Sequence, residues 1–339
     1  MKKILSTGCG LWMLLGLLGD AQAGAWKLSC PDNVKKLPRL VADQGEIEPS
    51  GVAWDSVSGM AVAVSDEASP HSLFVFNPSS VVDGKDGKTI RAFPLLTAPL
   101  VDTYRPKDLE GIARLPNGEF VASASHSLNN KKARDTVLQF RLAKGTTPQQ
   151  PWVAESIRKI PPGEGFQSWL TQSAAPPWKK KVNTEEGEDG INVEGLAAQS
   201  DQLYFGFRGP VTDGRMSVLA TRLDPQGRPS VVKWHALKLE KDFDIDKKES
   251  AGIRDMTAIP GSKNSEFLML VGATGSGSDL PYQLGWWQES RDEVTWVGKI
   301  PKGFRAEGVT VLSKPDEPMR VLMVSDKMGM VMECQIAKK

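Results

Sequence analysis

The sequence has few of the residues that most often carry nucleophilic or metal chemistry. It contains three cysteines and three histidines in 339 residues. A zinc site built from cysteine needs more thiolates than this chain offers. The nucleophile motif Gly-x-Ser-x-Gly does not occur, which disfavours a serine-hydrolase triad.

The chain also lacks a surplus of charge of either sign. Its formal net charge is +1 at pH 7, with 42 basic and 41 acidic residues. A protein that binds nucleic acid or an anionic membrane surface would need a basic surplus. We therefore expect no nucleic-acid partner.

Long apolar runs are missing as well. The run at residues 11–18 follows two lysines and precedes Ala21-Gln22-Ala23, which is the pattern of a signal peptide. The run is too short to cross a bilayer, which takes about 20 residues. We expect residues 1–23 to be a signal peptide, cut after Ala23 or Ala25. The mature protein would then be periplasmic or secreted, without a stable membrane span.

Cleavage of that signal peptide would leave two cysteines in the mature chain. Cys9 is lost with the signal, whereas Cys30 and Cys334 remain near opposite ends. In an exported protein these two residues can form a disulfide. Two unpaired, buried thiols are the alternative.

Short apolar runs bounded by turn residues recur along the chain, and long segments with a helical period are absent. Runs such as 59–65 and 267–271 have the length of a strand. They belong to an internal repeat that begins with a small or acidic residue, usually followed by glycine. The five starts are Ser50-Gly51, Glu110-Gly111, Glu194-Gly195, Asp255-Met256 and Glu307-Gly308.

A repeat on the order of 60 residues fits one four-stranded blade of a β-propeller. The sequence therefore predicts an all-β fold, a single propeller over residues 24–339 that is closed by N- and C-terminal strands. Five blades are favoured and six stay open, because the second interval is longer. Its excess lies in residues 148–190, which we interpret as a loop insertion. Closure would bring Cys30 near Cys334 and slightly favours the disulfide.

Three groups of residues resemble a known family. They are Asp-Leu-Glu-Gly-Ile-Ala at 108–113 with Ser-His-Ser at 125–127, residues 191–197 with Phe-Arg-Gly-Pro at 207–210, and Gly-Ile-Arg-Asp at 252–255. In order and type they are similar to a bacterial family called domain of unknown function 3616. The Glu-Gly-apolar-Ala repeats are more distantly similar to propellers with the esterase-like activity of phytases. The resemblance implies a propeller fold and implies little about chemistry.

In a propeller the innermost strands surround a central axis, so polar residues that open these strands converge at one end. Converging carboxylates raise one another's pKa, so they require either pairing with arginines or a hard cation such as Ca²⁺. Blade-to-blade bracing is the competing interpretation of the repeated glutamates. The candidates are Asp108, Asn192, Arg254 and Asp255 for ligand binding, Glu110, Glu194 and Glu307 for a metal, and His126 and Arg208 for catalysis.

Two functions follow as hypotheses. The favoured one is a monomeric ligand-binding or scaffold protein of the cell envelope, whose partner is a small molecule or an envelope protein. The alternative is a Ca²⁺-dependent phosphoesterase or esterase of the phytase-like kind. The first is favoured because the sequence contains no nucleophile motif and no complete metal signature.

Overall fold

The structure is a computed structural model that describes most of residues 26–338. The predicted signal peptide, residues 1–23, lies outside the described residues. No helix within them is long and apolar enough to span a membrane. The described residues are 26–43, 45–66, 72–84, 87–96, 98–104, 107–129, 132–161, 165–173, 181, 184, 190–243, 251–274, 281–315, 317–326 and 329–338.

Strands dominate the described residues, as the short apolar runs predict. The helical elements are α1 (Ala98–Tyr104), α2 (Phe166–Ser173) and a 3-10 turn at Val34–Lys36. The strands are β1 (Trp26–Ser29), β2 (Arg39–Ala42), β3 (Gly45–Glu46), β4 (Gly51–Asp55), β5 (Met60–Val64), β6 (Leu73–Gly84), β7 (Gly87–Pro94), β8 (Leu109–Arg114), β9 (Glu119–Ala124), β10 (Leu128–Asn129), β11 (Lys132–Ala133), β12 (Val137–Lys144), β13 (Trp152–Lys159), β14 (Asn192–Gln199), β15 (Gln202–Thr212), β16 (Arg215–Leu223), β17 (Pro229–Leu239), β18 (Ala251–Ala258), β19 (Glu266–Ala273), β20 (Gln283–Gln288), β21 (Glu293–Lys299), β22 (Ala306–Val311), β23 (Met319–Ser325) and β24 (Val331–Lys338).

In the described part of the chain, 20 of these 24 strands form five four-stranded antiparallel units, which we call blades 1 to 5. Their members are β4–β7, then β8, β9, β12 and β13, then β14–β17, then β18–β21, and finally β22–β24 with β1. The strands β2 and β3 extend the outer edge of blade 1, β10 pairs with β11, and a parallel pairing of β17 with β21 joins blades 3 and 4. The first strand of each blade contacts the first strand of the next, and β22 returns to β4. This closed cycle of inner strands is the arrangement of a propeller. The predicted all-β propeller fold is confirmed.

The two ends of the chain close the ring. β1 pairs antiparallel with β24, and Leu28 lies opposite Ile336. The N-terminal strand thus supplies the outer strand of blade 5, as the sequence predicts. A disulfide joins Cys30, just after β1, to Cys334 in β24, with their Cα atoms 4.4 Å apart.

Apolar side chains fill the spaces between neighbouring blades. In β5, Val62 and Val64 belong to the cluster shared with blade 2, whereas Ala61 and Ala63 belong to the cluster shared with blade 5. This division follows from strand geometry, since successive side chains point to opposite faces. Both faces of the sheet are therefore buried, which explains why the inner sequences are almost continuously apolar.

The stretch 148–190, interpreted above as a loop insertion, contains regular structure. Residues Trp152–Lys159 form β13, the outer strand of blade 2, which pairs with β12. Residues Phe166–Ser173 form α2. The interpretation was wrong for β13 because half of its side chains face solvent, so that charged residues mask the apolar pattern. Residues 174–180 and 185–189 lie outside the described part.

Candidate functional site

Four inner strands carry one extra residue at the same place. The pairing between first and second strands skips Glu110 in β8, Glu194 in β14, Arg254 in β18 and Glu307 in β22. Such a β-bulge leaves one residue unpaired and re-aims its side chain. Because the inner strands all begin at the same end of the ring, these side chains gather there. We call this region the acidic end.

The fourth repeat is shifted by one residue relative to the sequence alignment. That alignment put Asp255 beside the glutamates, whereas the structure puts Arg254 at the bulge position. Asp255 then takes the position that is glycine in the other repeats. The pattern could not reveal this shift, since the two charged residues stand side by side and no glycine marks the register.

Arg254 lies between two of the predicted metal ligands and joins them. Its Nε atom donates to Glu307 Oε2 at 2.7 Å and lies 3.0 Å from Glu194 Oε2. Tyr282 Oη donates to the other oxygen of Glu307 at 3.2 Å. Burial acts to lower the pKa of Arg254, but Glu194 and Glu307 outweigh it and raise the pKa. The guanidinium is therefore permanently charged, and it joins blade 4, to which Arg254 belongs, to blades 3 and 5.

Glu194 is the most heavily bonded of these carboxylates. Arg208 Nη1 donates to its Oε1 at 2.7 Å, and Asn192 Nδ2 donates to the same atom at 3.2 Å. With Arg254 this makes two arginines around one glutamate that is 3% exposed. Of the two arrangements expected for the carboxylates, the structure shows pairing with Arg208 and Arg254.

Glu110 differs from the other two glutamates. Its side chain is partly exposed and makes no hydrogen bond or ion pair with another described residue. Burial raises the pKa of Glu110 well above its ordinary value, and the charges of Glu194, Asp108 and Asp66 raise it further, against the opposing charge of Arg254. The distribution of arginines therefore leaves one bulge carboxylate without a partner at the acidic end.

Glu307 has a raised pKa even though it is paired. Burial raises the pKa of Glu307 to about 7, against the opposing effect of Arg254, while Glu194 and Asp326 add to the rise. A carboxyl group whose pKa is shifted in this way is typical of functional sites and of buried ion-pair networks alike.

Asp108 stands beside Glu110 and is held in place by blade 2. Arg134 Nη1 donates to its Oδ1 at 2.6 Å, and the Ser125 hydroxyl donates to Oδ2. Its backbone adopts a left-handed φ of 57°, which is uncommon for a residue other than glycine. The strained turn fixes this carboxylate at the rim of the acidic end.

Asp255 braces the ring at its narrowest point. Its Oδ1 accepts the backbone N–H of Met256 at 2.8 Å, and its Oδ2 accepts that of Val309 at 2.7 Å. The amides of Leu196 and Val52, from two further blades, also bond to it. Burial raises the pKa of Asp255 and these four amides oppose that rise. Both oxygens are thus occupied by backbone, and the side chain is fully buried.

His126, a candidate catalytic residue, lies apart from this network. Its Nε2 atom is 2.8 Å from Ser123 Oγ, and its ring stacks on Phe166 with centroids 4.4 Å apart. The side chain is 1% exposed, and burial lowers the pKa of His126 to about 3. It is therefore neutral at pH 7 and packs between blades 2 and 3. No described contact joins it to Arg208 or to the bulge glutamates.

The three glutamates assigned to a metal do not surround a common point in this structure. The guanidinium of Arg254 occupies the space between Glu194 and Glu307. Within the described residues, no three carboxylate, histidine or cysteine side chains come close enough together to hold a metal ion. As arranged here these residues do not fit a Ca²⁺ site, and calcium binding stays a prediction.

The sequence pattern did not reveal four residues at this end, one of which is Arg134, the partner of Asp108. Tyr282 bonds to Glu307, and the charges of Asp66 and Asp326 act on Glu110 and Glu307. A signal for the two aspartates was present: each directly follows a serine at the end of the second strand of a repeat, next to where the first strand begins. Tyr282 follows a stretch without any repeat motif, so nothing in the sequence pointed to it.

Comparison with known proteins gives one family match. The family described as "Phytase-like: Esterase-like activity of phytase" matches residues 47–278, more than half of the chain. The predicted similarity to esterase-like phytase propellers is confirmed at this level, while the resemblance to domain of unknown function 3616 stays a prediction. No curated protein matches the sequence.

Several solved structures resemble this chain at low identity. An α-L-arabinanase of Cellvibrio cellulosa is 13% identical, with a TM-score of 0.41 over 86% of this chain and 90% of that one. An endo-arabinanase of Bacillus licheniformis is 12% identical, with a TM-score of 0.38 over 88% and 96%. A gluconolactonase of Xanthomonas campestris is 11% identical, with a TM-score of 0.37 over 90% and 88%. At these identities no activity is carried over to this chain.

Proposed function

The chain belongs to the phytase-like family described by the esterase-like activity of phytase, and from this premise we propose that its acidic end binds a small ligand that carries positive charge. The protein is then a ligand-binding propeller that acts outside the cytoplasm. The Cys30–Cys334 disulfide supports this location, since such bonds persist in oxidising compartments.

Glu110 is the observation that carries the proposal. A partly exposed carboxylate with a raised pKa and no described partner is destabilised by its surroundings. A bound cation or ammonium group would relieve this repulsion, because an opposite charge at close range favours the ionised carboxylate. Part of the binding free energy would come from removing the electrostatic repulsion that destabilises Glu110 in the unliganded protein.

The charge balance of the acidic end points the same way. Carboxylates outnumber the arginines that pair with them, so the net charge at this end is negative when the acids are ionised. Such a surface attracts cations and raises their local concentration. The groups concerned are Asp108, Glu110, Glu194 and Glu307 against Arg134, Arg208 and Arg254.

Calorimetric titration at pH 8 tests this function, with CaCl₂ and spermidine as separate probes. We expect at least one probe to bind wild-type protein and to lose most of its affinity in Glu110→Gln. The matched control is Glu293→Gln, which makes the same change at an exposed position of β21. If neither probe binds, or if both variants bind like wild type, the proposal is wrong.

Ester hydrolysis is a second candidate, favoured by the family description and by the pKa of Glu110. A raised pKa moves a carboxyl towards the range in which a general acid or base works. Assays with p-nitrophenyl acetate and p-nitrophenyl phosphate, run with the same two variants, test it. Turnover that Glu110→Gln abolishes and Glu293→Gln retains would support hydrolysis. If a cation binds and neither ester is hydrolysed, ligand binding is supported and hydrolysis is not.

A further inference from the structure

A cavity lies at the opposite end of the ring from the acidic end. It has a volume of about 250 Å³ and is formed where the inner strands of all five blades finish. Small side chains line its wall, and they occupy the same position in each repeat, two residues after the glycine or Asp255. These are Ala53, Ala113, Ala197, Thr257 and Thr310.

This cavity is separated from the acidic end by the narrowest part of the ring. Asp255 fills the axis there and bonds to amides of other blades. The inner strands also approach closely at this level. A Cβ added at Gly111 would lie 2.7 Å from Leu196 Cβ, and one added at Gly308 would lie 2.9 Å from the Val52 nitrogen. A ligand at one end therefore does not contact a ligand at the other.

The walls of the cavity are braced between blades. Arg114 Nε lies 2.8 Å from Asp55 Oδ1, which joins blades 1 and 2. The backbone N–H of Trp54 donates to Thr310 Oγ1 at 3.1 Å, which joins blades 1 and 5. A pocket held open by its own structure loses little freedom when a ligand enters, and this preorganisation favours binding.

The chemistry of the lining indicates what fits. The wall combines alanine, isoleucine, leucine and proline side chains with the polar groups of Thr257, Thr310 and Ser313, and Trp54 adds an aromatic face. Lys314 stands at the rim, exposed and without an ion pair to another described residue. Arg114 is already paired with Asp55, and Glu317 accepts the backbone N–H of Lys314 at 3.4 Å. Among the described lining residues, the Lys314 ammonium is therefore the cationic group that makes no ion pair. The volume lies a little below the 300–1,000 Å³ usual for drug-sized ligands.

We propose that this cavity binds a small carboxylic acid with an apolar moiety. The apolar moiety would pack against the alanines and Trp54, and the carboxylate would lie beside Lys314. The site is independent of the acidic end and of any activity there. Its ligand is of opposite charge to the one proposed above, so the two ends of the ring select different molecules.

Calorimetric titration with 3-phenylpropionate tests the site, and the uncharged 3-phenylpropanamide tests the part played by Lys314. We expect the acid to bind wild-type protein more tightly than the amide. Lys314→Gln should weaken binding of the acid by about 1.5- to 5-fold, the range of an exposed charge pair, and leave binding of the amide unchanged. Lys302→Gln, at another exposed lysine, is the matched control.

A second variant tests the cavity itself. Ala258→Leu adds bulk to the lining and should abolish binding of both probes, with a circular dichroism spectrum like that of wild type. Glu110→Gln should leave both affinities unchanged, which separates this site from the acidic end. The proposal is overturned if the acid does not bind wild-type protein, or if it binds as well to Lys314→Gln and Ala258→Leu as to wild type.

Discussion

Asp255 shows how one residue can replace a glycine and gain a role. In the other four inner strands this position is Gly51, Gly111, Gly195 and Gly308. Close contact between neighbouring strands leaves little space for a side chain there. The space at the centre of the ring would not hold five side chains at this position. It does hold the one carboxylate of Asp255, which accepts hydrogen bonds from backbone amides of four blades.

We expect Asp255→Asn to destabilise the protein strongly. The amide group would direct an N–H₂ at backbone N–H donors that now bond to Oδ1 or Oδ2. Leaving a buried donor without an acceptor costs about 1 to 3 kcal/mol for each group. Urea unfolding measures the change, with Asp242→Asn at an exposed position as control. Equal unfolding midpoints for the two variants would contradict the bracing role.

Glu110→Gln should instead stabilise the protein, in a pH-dependent way. The pKa of Glu110 is raised in the folded state from its ordinary value of 4.5, so folding takes up a proton in the window between the two values. Stability contributed by this group is therefore present at low pH and is lost as pH rises through the folded pKa. The variant, which carries no charge, escapes this loss.

Calorimetric melting at pH 8 and pH 4.5 checks this expectation. Glu110→Gln should melt above wild type at pH 8 and near it at pH 4.5, while Glu293→Gln should follow wild type at both. A lower melting temperature for Glu110→Gln at pH 8 would mean that the carboxylate stabilises the fold. If Glu110→Gln is more stable than wild type and also loses affinity in the titrations above, Glu110 serves ligand binding at the expense of stability.

At the scale of the strand, the sequence predicts the inner strands well and their irregularities poorly. Glycine followed by apolar residues marks the start of β4, β8, β14 and β22 because a close approach demands glycine there. The bulges at Glu110, Glu194, Arg254 and Glu307 leave no such mark, since a bulge depends on the register with a partner strand. The site could therefore be located from the repeats, while its pairing pattern could not.

Because the inner strands approach closely, we expect that adding one methyl group at Gly111 destabilises the protein. Gly111→Ala would bring a Cβ within 2.9 Å of the Glu194 carbonyl oxygen as well as against Leu196. Overpacking of this kind costs about 1 to 3 kcal/mol, measured as a lower free energy of unfolding in urea. Gly209→Ala is the control, because its Cβ would meet only the Gly190 carbonyl oxygen, at an ordinary 3.6 Å. Equal stability of the two variants would mean that the strands can separate freely.

At the scale of the molecule, the closure of the ring was predictable from the sequence. The repeats predict a propeller, and a propeller closed by N- and C-terminal strands requires those two strands to pair. The pairing of β1 with β24 meets this expectation. Cys334 lies in β24 and Cys30 lies just after β1, so the pairing of these two strands brings the cysteines side by side. What the ring binds depends on side-chain contacts between blades, which a repeat pattern does not encode.

The disulfide should contribute to stability through this closure. Cys30 and Cys334 are 304 residues apart in sequence, and a bond across so long a loop restricts the unfolded chain, with a typical effect of about 2 to 5 kcal/mol. We expect the double variant Cys30→Ser, Cys334→Ser to unfold at lower urea concentration than wild type. Amide hydrogen exchange should become faster in β1 and β24 and stay unchanged in β14 and β18. Dithiothreitol should shift wild type towards the variant and leave the variant unaffected. Unfolding curves that coincide with and without the bond would show that strand pairing alone holds the ends together.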